Sequence, residues 1–169
     1  MSDVCRLLVV ADTHLREGQG DRLVDRLRGA DLTDAVDLVL HAGDLTHPDV
    51  LDALAPIAPV HAVLGNNDHG IVLPERIEMW IGERRVAMVH DSGPSAGRST
   101  RLRRWFPSAD IVVFGHSHIP WHETHVDDSG HVQHQLNPGS AMQRRRQPRC
   151  TVAVVELGLD VVTVDFVGV

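Results

Sequence analysis

The chain has 169 residues, 43% of them hydrophobic and 23% charged, a length and balance that fit one globular domain spanning 1–169 and burying roughly 70% of its unfolded surface. The formal net charge is −7 and every basic residue other than histidine is arginine, which argues against stable nucleic-acid binding and against docking on an anionic membrane. No apolar run approaches the roughly 18 to 20 residues of a membrane span, the flank of Asp3 and Arg6 with its short apolar run does not make a secretory signal, and Cys5 and Cys150 stand alone, so the expected compartment is the cytoplasm with reduced thiols.

Leu7 to Ala11 reads as a first buried strand that stops at Asp12-Thr13-His14. A helix is expected near Asp21 to Arg28, with Leu23, Val24 and Leu27 on one face. Asp37 to His41 is a second buried strand running into Gly43-Asp44. Thr46-His47-Pro48-Asp49 predicts a helix start, with Thr46 as cap and Pro48 in the first turn. Val60 to Leu64 is a third strand, ending in Gly65-Asn66-Asn67-Asp68.

The second half is richer in strands. Glu78 to Ile81 and Arg85 to Val89 predict a hairpin about Gly82-Glu83, followed by His90-Asp91. Its Met79-Trp80-Ile81 stretch either packs within the fold or pairs chains into a homo-oligomer. A helix follows, with Leu102, Trp105 and Phe106 dry and Arg98, Arg101, Arg103 and Arg104 wet. Ile111 to Phe114 ends in Gly115-His116-Ser117-His118. A hairpin turning at Asp128-Ser129-Gly130 places His122, His125, His131 and His134 on surface strands. The loop Asn137-Pro138-Gly139-Ser140 and the strands Thr151–Glu156 and Val161–Val167 complete the chain.

Five strand ends thus carry Asp12 with His14, Asp44, Asn66, His90, and His116 with His118. Carboxylate, imidazole and amide oxygen form a mixed donor set that suits Mn²⁺, Fe²⁺, Ni²⁺, Co²⁺ or Zn²⁺ better than Ca²⁺. In Asp-x-His and His-x-His, alternate residues on an extended loop face one centre. Seven ligands exceed the needs of one ion; two ions sharing Asp44 fit them, and such a pair acts as a clamp for in-line displacement at phosphorus.

Asp12-x-His14, Gly43-Asp44, Gly65-Asn66-Asn67-Asp68, His90 and Gly115-His116-x-His118 resemble, in this order, the signature of the calcineurin-like metallophosphoesterases. Chain length and the Asn137-Pro138-Gly139-Ser140 loop resemble their small YfcE-type bacterial and archaeal phosphodiesterases. The resemblance implies an α/β (α+β) fold, a four-layer αββα sandwich of two mixed β-sheets flanked by helices. It implies two divalent transition-metal ions, Mn²⁺ foremost, with Asp12, His14, Asp44 and His118 on one and Asp44, Asn66, His90 and His116 on the other. It implies hydrolysis of a small phosphodiester by a metal-bridging hydroxide attacking in line. The family's usual Gly-Asn-His-Asp is here Gly-Asn-Asn-Asp. Asn67 can hydrogen-bond a phosphoryl oxygen but cannot donate a proton as a general acid, which favours diesters with good leaving groups. His69 either takes over that role or is an exposed loop residue. His47 lines the pocket or simply occupies a first helical turn, and Arg144, Arg145, Arg146 and Arg149 form a solvated loop unless they guide an anionic substrate. The rival readings are a non-catalytic protein-binding scaffold and a metal-bound nucleotide sensor of the same fold.

Overall fold

In the computed structural model, which describes residues 4–169, the strands alternate their side chains between two apolar interfaces; Asp3, read as part of the polar N-terminal flank, lies outside the described residues. Strand β1 (Cys5–Val10) sends Leu7 and Val9 to one side and Leu8 and Val10 to the other. It lies parallel to β2 (Leu38–His41), which lies parallel to β3 (Val60–Ala62). Antiparallel β9 (Thr151–Leu157) and β10 (Val162–Gly168) extend this sheet in the order β10-β9-β1-β2-β3. The second sheet, β4-β5-β6-β8-β7, has a parallel centre of β5 (Arg84–Val89), β6 (Ile111–Val113) and β8 (Val132–Pro138). Antiparallel β4 (Arg76–Ile81) and β7 (Pro120–Val126) form its edges.

Leu7, Val9, Leu38 and Leu40 of the first sheet meet Val86, Met88, Ile111, Val113 and Leu136 of the second in one shared core. On the outer face of the first sheet, Leu8, Val10 and Val39 bury Leu23 and Leu27 of α1 (Gly20–Gly29) and Val50 and Leu54 of α2 (Asp49–Leu54). Ala87, Val112 and Phe114 bury Leu102 and Phe106 at α3 (Arg98–Trp105) on the far side. The layers are therefore α, β, β, α, as expected. All of β1, β2, β3, β5 and β6 point their C-terminal ends to one edge.

Several local expectations are corrected. Thr46 does not cap α2: the helix begins at Asp49 after Pro48, and the Thr46 hydroxyl, at φ +68°, donates to the Leu15 and Leu45 carbonyls at 2.6 and 2.7 Å. Asn137 and Pro138 belong to β8, where Pro138 faces Pro120 across the edge. β3 closes at Ala62 because the Leu64 N–H turns away to the Pro74 carbonyl at 2.8 Å. Arg98 and Arg101 are not wet: Arg98 lies over Phe114 (5.0 Å) and Trp121 (5.5 Å), and Arg101 donates to the carbonyls of Ser92, Pro94 and Ala96. His131 sits in the turn before β8 rather than on a strand. In the β4 edge, Met79 and Ile81 pack into the shared core while Trp80 is 68% exposed. Among the described residues no helix is long and apolar enough to cross a membrane.

Candidate metal centre

The loops leaving β1 and β2 continue the parallel ladder past the strand ends. Asp12 N–H donates to the Gly43 carbonyl (3.0 Å) and His14 N–H to the Asp44 carbonyl (3.0 Å). That ladder delivers Asp12, His14 and Asp44 side by side. The expected extended path is not what aims them, however. Asp12, His14, Asp44, His116 and His118 all have φ between +47° and +69°, so each Asp-x-His or His-x-His pair alternates through the left-handed region. Such conformations cost on the order of 1 to 3 kcal/mol each and persist only where the surroundings over-determine them. Gly43 and Gly65 allow the loops to meet: at Gly65 a Cβ would overlap the Asp44 backbone and carboxylate, and at Gly43 it would reach the His90 ring.

The side chains converge. His14 Nε2 stands 3.2 Å from His118 Nε2 and 3.4 Å from Asp44 Oδ2. His90 Nε2 stands 3.4 Å from Asp44 Oδ1 and 3.0 Å from Asn66 Oδ1, and His116 Nδ1 is 2.9 Å from that same amide oxygen. His118 Nε2 is 3.5 Å from Asp12 Oδ1. All seven residues expected from the sequence are thus brought to one place. Asp12, His14 and His118 form one group that can hold a cation, and Asp12, Asp44 and His90 another.

Behind them, partners fix the rings. His90 Nδ1–H donates to the Ala42 carbonyl (2.7 Å) and His118 Nδ1–H to the Gln143 carbonyl (2.9 Å), which turns each Nε2 inward; on the neutral His118 ring that nitrogen is a lone pair, whereas His90 Nε2 faces the Asp44 and Asn66 oxygens. Asp68, seen in the sequence only as part of a turn, accepts three backbone N–H groups: Asp44 (2.9 Å) and Gly65 (2.7 Å) on Oδ2, Thr46 (2.7 Å) on Oδ1. Ser140 Oγ donates to the Asp12 carbonyl at 2.7 Å. His41 is buried, with Nε2 3.1 Å from Thr13 Oγ1, and burial pushes its pKa down to about 3. A lone histidine ending an otherwise apolar strand was the signal for it.

The electrostatics favour cations. Burial, with the Asp44 charge adding to it, pushes Asp12 up to about 7 against the opposing pull of His90, and Asp12 Oδ2 is a buried oxygen with no hydrogen-bond partner. Burial would also raise Asp44, but hydrogen bonds from His90 and from both nitrogens of Asn67 outweigh it and hold that carboxyl well below its ordinary range. Burial lowers His14, and lowers His118 to about 4, so both are neutral donors near pH 7. Burial opposes a proton on His90, yet its bonds to Asp44 and Ala42 raise it. An orphaned buried carboxylate oxygen amid neutral imidazole lone pairs is the donor set a divalent transition metal takes up.

Asn67 is committed to Asp44: its backbone N–H reaches Oδ1 (2.9 Å) and its Nδ2 reaches Oδ2 (2.7 Å). His69 is exposed, and none of the hydrogen bonds that build the site runs through its ring. His47 leans on Asp49 just before α2, Nδ1 to Oδ1 3.1 Å, rather than on a candidate ligand. The hairpin rings His122 and His134 stack on each other at 5.4 Å.

The chain belongs to the calcineurin-like phosphoesterases: the Calcineurin-like phosphoesterase superfamily domain matches residues 5–159. A probable metallophosphoesterase of Methanothermobacter thermautotrophicus is 34% identical over 139 residues, covering 78% of this chain and 74% of that one. A predicted phosphoesterase of Streptococcus pneumoniae TIGR4 superposes with a TM-score of 0.70 at 27% identity, over 98% of this chain and 90% of the other. Vacuolar Protein Sorting 29 of Cryptosporidium parvum shares the fold at a TM-score of 0.74 and 20% identity, over 98% of each chain. The protein is accordingly a phosphoesterase by family, with residues that fit divalent metals.

Proposed function

We propose that this chain is a cytoplasmic, metal-dependent phosphodiesterase with a two-ion centre. Asp12, His14, Asp44 and His118 hold one ion and Asp44, Asn66, His90 and His116 the other. The observation that carries the reading is the posture of Asp44, whose Oδ2 faces His14 and whose Oδ1 faces His90, each at 3.4 Å. A carboxylate turned to two histidine groups at once is suited to bridging. Bound there, divalent ions, Mn²⁺ foremost, supply a nucleophile from water near neutral pH for in-line displacement at phosphorus and neutralise charge on its oxygens.

The chain's own residues set the rest. Asp68 and Asn67 lock Asp44 in place through its backbone and both its oxygens. Ser140 and Gln143 hold the Asp12 loop and the His118 ring. With Asn67 bonded to Asp44 and His69 exposed, no side chain in the site is ready to protonate a leaving group, which favours diesters over monoesters.

The test is hydrolysis of bis(p-nitrophenyl) phosphate and p-nitrophenyl phosphate by metal-stripped protein resupplied with Mn²⁺, Ni²⁺, Zn²⁺ or Mg²⁺, beside Asp44→Asn. Metal-dependent turnover of the diester, lost in the variant, is expected. A folded protein that binds two ions and hydrolyses neither compound would instead be a scaffold or sensor, as the shared fold of Vacuolar Protein Sorting 29 allows.

A further inference from the structure

The arginines around the site are unevenly committed. Arg101 is taken up by backbone carbonyls, Arg98 by Phe114 and Trp121, and Arg76 by the Trp105 ring at 4.3 Å. Arg144 braces its own loop, Nη1 to the Gln147 carbonyl at 2.9 Å. The arginine ion pairs among the described residues involve Arg28, Arg84 and Arg85. Arg145 is in none of these groups, and its side chain is exposed.

Its loop is nevertheless pinned to the centre. Ser140 Oγ donates to the Asp12 carbonyl and accepts from the Gln143 N–H at 2.8 Å, and the Gln143 carbonyl holds His118. Arg145 follows two residues later at φ +49°, the one left-handed non-glycine of that loop. Its charge lies near enough to act on Asp12, His14 and His118, so the loop carries it to that side of the centre. The opposite flank has a different character. Beside Asn66 and His90 lies a cleft of about 290 Å³ with Glu75 and Asp91 on its wall, and its one arginine is Arg76.

We propose that Arg145 selects phosphodiesters in which one arm carries a second anionic group, a further phosphate in the first instance. That arm lies on the Asp12 and His118 side, and the uncharged arm enters the cleft beside Asn66 and His90. The assignment deepens the phosphodiesterase reading and rests on it for the position of the scissile phosphorus. A guanidinium with no hydrogen-bond or ion-pair partner among the described residues offers phosphate a fork of N–H donors without breaking those contacts.

Calorimetric binding to Mn²⁺-loaded protein tests this without turnover, using thymidine 3′,5′-bisphosphate against thymidine 5′-monophosphate. The bisphosphate is expected to bind about tenfold more tightly to the wild type, with the ratio collapsing toward one in Arg145→Gln and persisting in Arg146→Gln. Metal content of each variant is measured alongside, since loss of ions would lower both affinities together. A wild-type ratio near one, a ratio untouched by Arg145→Gln, or an equal loss in Arg146→Gln overturns the proposal. If the ratio behaves as expected but no diester is hydrolysed with any metal, the enzyme reading fails and anion selection by Arg145 stands. Metal-dependent hydrolysis with no such ratio gives the reverse.

Discussion

Asp68 is not a candidate ligand and does not line the cleft, yet replacing it is expected to disturb both stability and metal affinity. Its two oxygens accept the N–H groups of Asp44, Gly65 and Thr46 at 2.7 to 2.9 Å. In Asp68→Asn the amide oxygen stays where two donors converge, so its NH₂ faces the Thr46 N–H and that bond is lost. A bond to a charged acceptor contributes about 1.5 to 3 kcal/mol, and the two retained bonds fall from charge-assisted to neutral strength, so the total cost is about 3 kcal/mol. For a chain of this size that corresponds to a fall in Tm of roughly 6 to 12 °C. Urea unfolding of metal-free protein, followed by tryptophan fluorescence, measures it without the contribution of bound ions. Because Asp44 holds φ +59° only while its N–H is tethered, Mn²⁺ affinity is expected to fall as well. An unchanged unfolding midpoint together with unchanged Mn²⁺ affinity would refute the idea that this carboxylate sets the backbone of the site.

Two other outcomes are expected. Metal binding should release protons below neutrality: Asp12, raised to about 7, is protonated at pH 6 in the metal-free protein, so its proton alone makes affinity climb about tenfold per pH unit up to about pH 7. His90 adds to the release because its pKa is also raised, whereas His14 and His118, lowered, have no proton to lose there. Calorimetry at pH 6 and pH 8 in buffers of different ionisation enthalpy counts the protons, and zero release at pH 6 would contradict the burial argument for Asp12. Asn67→His places an acid beside Asp44 and should raise monoester turnover relative to diester turnover by tenfold or more, at a stability cost of about 1 kcal/mol for the lost Nδ2 bond. An unchanged ratio of p-nitrophenyl phosphate to bis(p-nitrophenyl) phosphate hydrolysis would mean that position 67 does not control proton donation.

The layers were legible because apolar runs such as Leu7 to Val10 have no polar face and so must be buried on both sides, which in this fold means a sheet with helices outside and a second sheet inside. The candidate ligands were legible because parallel strands end on the same edge. What escaped the sequence was set by partners distant along the chain. The left-handed path of Asp12 is fixed by the Gly43 carbonyl, and Thr46 turns to the Leu15 carbonyl instead of to its own helix. Arg98 looks solvated until Trp121, from β7, covers it. Asp68 carries no local mark of its role, because two of its three donors, Asp44 and Thr46, lie more than twenty residues upstream.

The contrast between Asp12 and Asp44 bears on whether this chain is an enzyme or a scaffold. Asp44 is supplied with donors from the protein itself, and its charge is stabilised before any ion arrives. Asp12 is equally buried, yet one of its oxygens has no partner and its proton affinity is raised. Burying a carboxyl in this state costs stability that its hydrogen bond from the His116 N–H to Oδ1, at 3.2 Å, returns only in part. A protein acting only through its outer surface would lose nothing by carrying a neutral residue at position 12, and the loop would relax. Keeping an acid with one unpartnered oxygen at 0% exposure, in a left-handed conformation and facing His118, is physically economical only if a cation completes it. The strain at Asp12 therefore favours a centre that works with metal bound over one that has drifted into a purely structural role.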